Sequence, residues 1–309
     1  MLRGPLLFAA SSGRLKEFVT RAPLTRGVVA RFVAGDQTAD AVAVADGLGR
    51  EGLLVTVDHL GEQSQDRAGA DAACAPYFVL LAALSEAGLT ARTEVSVKLS
   101  ALGQVLPGDG EKIALAHARQ VCGAAEAAGT TVTVDMEDHT TTDSTLSIVQ
   151  DLRADFPRTG VALQAYLRRT EADCRDLAVP GSRVRLCKGA YREPAGVAYQ
   201  SRTAIAEAYG RCLRILMEGE GYPMVATHDP AMIRLAGTLA TGAGRQAGAY
   251  EYQMLYGVRP DEQRRLVASG AQVRVYLPYG VDWYGYLVRR LAEKPANLAL
   301  IARALTSRG

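Results

Sequence analysis

Eight short β-rich runs recur along the chain and limit what it can fold into: Leu53 to Val57, Glu94 to Leu99, Thr131 to Asp135, Val161 to Ala165, Arg183 to Cys187, Met224 to Thr227, Gly248 to Tyr252 and Gln272 to Tyr276. Between them lie segments of helical character such as Glu111 to Ala128, Ser201 to Glu218 and Asp261 to Ala268, each followed by a glycine or a Gly-containing turn that can end a helix. Strand then helix, eight times over, predicts a (β/α)8 barrel of the TIM type. Several runs are near-continuous apolar stretches, as strands buried on both faces of a parallel sheet should be. The rival is an open doubly wound sheet. It lacks its fingerprint, since no G-x-G-x-x-G follows the first strand and no G-x-x-x-x-G-K-[ST] occurs, while Gly242-Ala243-Gly244 precedes a strand and reads as a loop.

At 309 residues the chain is long enough for two domains, but barrels routinely use this length as one. The expected organisation is a single domain over 1–309, with an N-terminal helical segment over 1–50 and the barrel over 51–309. Arg14 to Ala22 and Thr25 to Val33 are read as two helical pieces interrupted by Pro23. A net charge of +2 from 35 basic and 33 acidic residues, with no long basic run, argues against nucleic acid as the main partner. The five cysteines are odd in number and form no C-x-x-C pair, so neither a disulfide framework nor a zinc site is encoded, and a reducing cytoplasm is expected. The apolar patch Leu6 to Ala10 is too brief for a signal-peptide core or a spanning helix.

If the fold is a barrel, function belongs at the C-terminal ends of the strands. Lys98 lies at the end of the second, Asp135 ends the third and Gln164 the fourth. Arg185 and Lys188 straddle the end of the fifth, Thr227-His228-Asp229 ends the sixth, Glu251 and Gln253 the seventh, and Tyr276 the eighth. A charged or amide group in such a place must find a partner, because leaving it without one costs several kcal/mol. One of these could be a satisfied core group; seven strands ending this way describe a polar mouth on an apolar barrel. His59 reads as a structural loop residue and His117 as surface or core filler. Asp135 and Glu137 could share a metal, a minor alternative. Near the end, Tyr286-Leu287-Val288-Arg289-Arg290-Leu291-Ala292-Glu293, read as helix, crowds Tyr286, Arg289, Arg290 and Glu293 toward one side. That pattern fits a solvated ion-pair face or, beside a barrel mouth, an anion clamp.

Seven ordered motifs carry a resemblance: Val95-Ser96-Val97-Lys98-Leu99-Ser100-Ala101-Leu102-Gly103, Gln164-Ala165-Tyr166, Arg185-Leu186-Cys187-Lys188-Gly189-Ala190-Tyr191, Ala226-Thr227-His228-Asp229, Tyr250-Glu251-Tyr252-Gln253-Met254-Leu255-Tyr256-Gly257, Val273-Arg274-Val275-Tyr276-Leu277-Pro278-Tyr279-Gly280, and the terminal octet. From about Leu53 to Glu293 the chain resembles the monofunctional bacterial proline dehydrogenases. The resemblance implies a distorted (β/α)8 barrel that binds FAD and oxidises L-proline to Δ1-pyrroline-5-carboxylate by hydride transfer from C5 to flavin N5. Electrons would pass to a quinone, and a separate pyrroline-5-carboxylate dehydrogenase would consume the product.

The same resemblance implies roles. Arg289 and Arg290 with Lys98 would hold the substrate carboxylate, a task suited to a bidentate guanidinium fork. Tyr276 and Leu255 would cover the aliphatic ring, and Glu293 would orient the arginine pair. Arg185 would lie beside flavin N5 and Gln164 at the pyrimidine edge, with Met136, Lys188, Gly189, Ala190, Thr227 and His228 lining the rest of the FAD. Asp135 would be an active-site carboxylate. Gly189 would let backbone approach the ligand closely. Two positions depart from the pattern: Arg192 where larger bifunctional relatives commonly carry an aromatic, and Met254 where some relatives carry a basic residue. Peripheral contact at the inner face of the membrane is a further expectation. Alternatives are a dehydrogenase of another cyclic amino acid such as hydroxyproline or pipecolate, a flavin barrel of the methylenetetrahydrofolate reductase type, or a non-catalytic binding barrel.

Overall fold

In the computed structural model, which describes residues 27, 29–61 and 63–287, eight parallel strands close on themselves in the order β1 to β8. They are β1 Leu54–His59, β2 Thr93–Val97, β3 Val132–Val134, β4 Gly160–Gln164, β5 Arg183–Cys187, β6 Tyr222–Ala226, β7 Glu251–Leu255 and β8 Val273–Tyr279. The α-helices with both ends among the described residues are α1 Thr38–Arg50, α2 Arg67–Ala72, α3 Ala75–Glu86, α4 Gly110–Ala127, α5 Thr142–Asp155, α6 Thr170–Leu177, α7 Arg202–Glu218, α8 Pro230–Gly242 and α9 Pro260–Ala268. β1 pairs with both β2 and β8, which closes the barrel.

Local chemistry starts the helices where the sequence suggests. Ser201 accepts a hydrogen bond from Ala204 N at the head of α7, and Asp229 one from Ala231 N at the head of α8, where Pro230 supplies a preset φ. Each strand alternates between two environments. One set of side chains, among them Val55, Val57, Val95, Val97, Val134, Val161, Leu163, Val184, Leu186, Val273 and Val275, packs against buried Leu80, Leu84, Ile148, Leu152, Leu213 and Leu216 of the helices. This layer between sheet and helices is the apolar core, where truncating one leucine to alanine costs about 2–5 kcal/mol.

The other set points into the barrel, and here the expectation of an apolar barrel is overturned. Thr56, Glu94, Ser96, Arg185, Glu251, Gln253 and Arg274 are all buried. Some of their bonds join neighbouring strands and others cross the barrel: Arg183 Nη2 of β5 donates to Glu94 Oε2 of β2 at 2.7 Å. The interior is therefore a charged, hydrogen-bonded filling. It is also crowded, since a Cβ on Gly160, the first residue of β4, would lie 2.6 Å from Thr133 Oγ1.

The seventh strand begins three residues later than the Gly248 expected, because its register is fixed by the pairs Met224↔Glu251 and Tyr252↔Val273. Glu251 thus opens β7 at the base of the barrel and is not at the mouth. Gly242 ends α8, so the glycines near it belong to a helix terminus. Residues 283–287 are helical, and Tyr286 lies in an apolar cluster with Phe32, Val33, Leu60, Trp283, Tyr284 and Leu287. Arg289, Arg290 and Glu293, like Arg14 to Ala22, lie outside the described residues.

Candidate active site

At the C-terminal end of the barrel four strands bring polar groups to one carboxylate. Asp135, the residue after β3, accepts from Arg185 Nη1 at 2.6 Å and Ser96 Oγ at 2.8 Å on one oxygen, and from the Tyr276 hydroxyl at 2.7 Å on the other. Lys98 Nζ lies 3.5 Å from Asp135 and donates to both oxygens of Asp58, at 2.7 and 2.8 Å. Period-2 alternation places these groups: Glu94, Ser96 and Lys98 share one face of the β2 segment, and Thr56 and Asp58 one face of β1.

Electrostatics fix their charge states. Burial opposes ionisation of Asp135, but Lys98 and Arg185 together with the Tyr276 and Ser96 bonds outweigh it, so the carboxyl is held below its usual range. Burial likewise opposes the Lys98 ammonium, and Asp58 and Asp135 overcome it, keeping the lysine protonated. Burial and then the charge of Asp135 push the Tyr276 phenol well above 10, so it remains a donor.

Arg185 is the most enclosed cation of this group, 3 % exposed. Its Nε donates to Gln253 Oε1 at 2.7 Å, its Nη1 to Ser96 Oγ at 3.0 Å as well as to Asp135, and its Nη2 to Glu94 at 3.2 Å. The Tyr276 ring lies 5.3 Å from the guanidinium carbon. A planar cation held by four acceptors and covered by a ring has a fixed orientation.

Around the mouth the remaining candidates follow strand order. Met136 is buried after β3, and Gln164, the last residue of β4, donates its amide to Glu137 O at 2.6 Å. Lys188 after β5 pairs with Asp229 at 2.6 Å, and Thr227 Oγ1 after β6 accepts from Asp229 N at 3.1 Å. His228 Nε2 accepts from Leu255 N at 2.9 Å, which ties the β6 loop to the end of β7. Ala190 is exposed and Gly189 half-buried. The expected cofactor residues thus occupy a contiguous arc from β3 to β6, and Leu255, Tyr276 and Lys98 the arc from β7 through β8 and β1 to β2. Arg185 and Asp135 stand between the two arcs.

Gly189 has φ +111°, and a Cβ there would lie 2.2 Å from the Tyr166 ring. Its lack of a side chain is required by that ring, a constraint internal to the loops and separate from any ligand. Those loops are laced together: Tyr166 N donates to Lys188 O at 3.0 Å, Tyr199 N to Tyr166 O at 2.8 Å, and buried Glu193 accepts from His139 N at 2.9 Å and is bonded to the His139 ring. Glu137 accepts from Ser100 N and Oγ and Asp138 from Thr140 N, so these two carboxylates serve loop structure. His59 packs edge-on against Tyr77 and Tyr279, and His117 is buried with bonds to Leu102 O and Asp71. Met254 is buried.

Sequence reasoning missed Asp58, Ser96 and Glu94. The signal was available for each: Ser96 falls two residues before Lys98, Glu94 two before Ser96 and Asp58 two after Thr56, in strands whose alternate positions are valine.

The residues present fit a flavin. Such a ring system carries carbonyl and nitrogen acceptors, and its attached phosphates are anionic; the β3 to β6 arc supplies an amide at Gln164, a hydroxyl at Thr227 and an ammonium at Lys188, beside the Arg185 guanidinium.

The sequence profile of the proline dehydrogenase family matches residues 41–303. The chain is 36 % identical over 305 residues to proline dehydrogenase 1 of Bacillus subtilis, covering 99 % of each chain. It is 38 % identical over 277 residues to proline dehydrogenase of Deinococcus radiodurans, covering 89 % of each. In fold it is similar to proline utilization A from Bdellovibrio bacteriovorus inactivated by N-propargylglycine, with a TM-score of 0.81 at 24 % identity; the match covers 92 % of this chain and 33 % of that one. With the profile spanning most of the chain and relatives aligned end to end, this chain belongs to the proline dehydrogenase family.

Proposed function

We propose that the barrel mouth oxidises L-proline to Δ1-pyrroline-5-carboxylate, the first step of proline catabolism, with FAD as the bound flavin, a quinone as electron acceptor and a separate dehydrogenase consuming the product. The observation that carries this reading is the fixed set of Asp135, Arg185, Tyr276 and Lys98, two cations and a phenol around one ionised carboxylate beside an arc of flavin-compatible donors. A bound flavin supplies the acceptor for the two electrons and the hydrogen leaving proline C5.

The chain's own residues do the rest. Lys98, permanently charged, attracts the substrate carboxylate, and Arg289 and Arg290 complete its anchor with Glu293 orienting them. Holding that carboxylate fixes the ring, and such positioning supplies several kcal/mol of barrier reduction. Tyr276 and Leu255 cover the ring and keep water away. Asp135 stays ionised, so at neutral pH it accepts hydrogen bonds and orients Tyr276 and Arg185 without donating a proton. Arg185 presents a positive charge where the cofactor gains electrons, while Gln164, Met136, Lys188, Gly189, Ala190, Thr227 and His228 line the FAD.

The whole chain acts as one barrel domain in this reading. A cytoplasmic location with peripheral contact at the inner face of the membrane belongs to the same proposal; Phe78 and Val79, exposed on α3, are candidates for that contact. The test is anaerobic titration of FAD-reconstituted protein with L-proline and with hydroxyproline and pipecolate, followed by turnover with a dichloroindophenol dye. Bleaching of the flavin band with preference for L-proline is expected. Protein that takes up no FAD, or flavin reduced by NAD(P)H and not by proline, would overturn the reading.

A further inference from the structure

Beneath Arg185 lies a carboxylate to which the reaction described above assigns no task. Glu94, 1 % exposed, accepts from Thr56 Oγ1 at 2.7 Å and from Arg185 Nη2 at 3.2 Å on one oxygen, and from Arg183 Nη2 at 2.7 Å on the other. Arg274 Nε stands 3.9 Å away. Three guanidiniums from β5 and β8 thus converge on one carboxylate of β2. Burial opposes its charge, and the three arginines outweigh that, holding it far below the usual carboxylate range.

The same residues form a closed cycle. Arg185 donates to Gln253, Gln253 Nε2 donates to Glu251 at 2.6 Å, and Arg274 Nε donates to Glu251 at 2.7 Å. Arg274 and Arg185 each face Glu94. Within this ring Glu94 is the member that touches Arg185 and also compensates Arg183 and Arg274. Replacing it by an isosteric amide removes one negative charge a few ångströms from the Arg185 guanidinium and turns an NH2 group toward cations it cannot bond.

We propose that Glu94 is a positioning residue for the oxidation: it holds Arg185 from below in the orientation facing the cofactor arc and sets the electrostatic potential that a flavin experiences there. The inference rests on the preceding reading of Arg185 as the cation beside the flavin. Glu94 reaches neither the mouth nor the Lys98 anchor, so it acts through Arg185 on the chemical step and leaves proline binding alone.

The experiment compares wild type, Glu94→Gln, and the double variant Glu94→Gln with Arg183→Gln, each reconstituted with FAD. Arg183 bonds Glu94, Arg158 O and the Met224 sulfur, away from the mouth, so the double variant removes one charge of each sign from the buried set. In Glu94→Gln the flavin midpoint potential is expected to rise, kcat to fall about tenfold, as losses of supporting partners behind a functional group do, and KM for proline to stay within about twofold of wild type. In the double variant the potential should return toward wild type while kcat stays low, because Arg185 still lacks its partner. A Glu94→Gln enzyme with wild-type potential and kcat and only a lowered melting temperature would overturn the inference. Should Glu94→Gln fail to fold, wild-type kcat in the double variant overturns it equally. Wild-type protein that holds no flavin, or whose flavin proline does not reduce, sinks the functional reading itself, a result distinct from either.

Discussion

The mouth and the base of the barrel are built from the same chemistry and are used differently. At the mouth Asp135 and Lys98 have side chains 15 % and 21 % exposed, so water reaches them although Asp135 has both its oxygens bonded. At the base Glu251 is fully buried, and both its oxygens are taken by Arg274, Gln253 and Tyr222. An ion pair sealed from water is hard to form and harder to break singly, because removing one partner strands the other. One that water reaches can exchange its partner for substrate. Depth in the barrel, more than residue type, separates scaffold from site.

That contrast is broken most sharply at Glu251. Glu251→Gln should lower stability by about 3–5 kcal/mol, read by urea denaturation, since it leaves the Arg274 guanidinium underpaired in the interior; a loss below 1 kcal/mol would mean that the base tolerates unpaired charge as readily as the mouth. Asp135→Asn should lower kcat/KM by about 10²-fold, the scale for losing one preorganised electrostatic group. Its stability loss should be the smaller of the two because Arg185 keeps Glu94, Gln253 and Ser96. Lys98→Met should raise KM for proline about tenfold, as loss of one charge-assisted bond does, with part of any instability coming from Asp58 left without its ammonium.

A pH series sharpens the comparison further. Asp135 and Glu94 are both held below their ordinary values of 3.8 and 4.5. Above those values their stabilisation is fully present; as pH falls below them the unfolded chain takes up protons that the native state refuses, and stability drops. Acid denaturation monitored by circular dichroism should therefore begin below about pH 4.5, and Glu94→Gln should flatten that dependence. At the small end, Lys112→Ala removes an exposed i,i+3 pair with Asp109 and should leave the melting temperature unchanged.

The barrel was legible because its signals are local. A β-branched run followed by an amphipathic segment and a glycine can be read within about thirty residues, a spacing that also marks βαβ units. The residues of the mouth were legible for a related reason, as polar groups at the ends of apolar strands. The interior was not, because Glu94 and Arg274 meet across most of the chain and only the register tells which way each side chain points. Asp58 shows how small the missing step was. Ending β1 at Val57 hid a carboxylate that the alternation Thr56, Asp58 would have directed inward. β7 failed differently: Gly248-Ala249-Tyr250 reads as strand, but pairing to β6 and β8 starts it at Glu251. Arg289, Arg290 and Glu293 carry the proposed carboxylate anchor on sequence alone.

The charged interior also bears on how the chain reaches its fold. Divided at the middle of the barrel, β1 to β4 bring Asp58, Glu94 and Asp135 against the single ammonium of Lys98, a net two negative charges. β5 to β8 bring Arg183, Arg185 and Arg274 against the single carboxylate of Glu251, a net two positive. Neither half can close over its own charges, and each is the other's counterion. A half-barrel is thus a poor folding intermediate and a good docking partner, so collapse of the two halves onto one another should be the cooperative event, late in sequence separation and sensitive to salt before the interior seals.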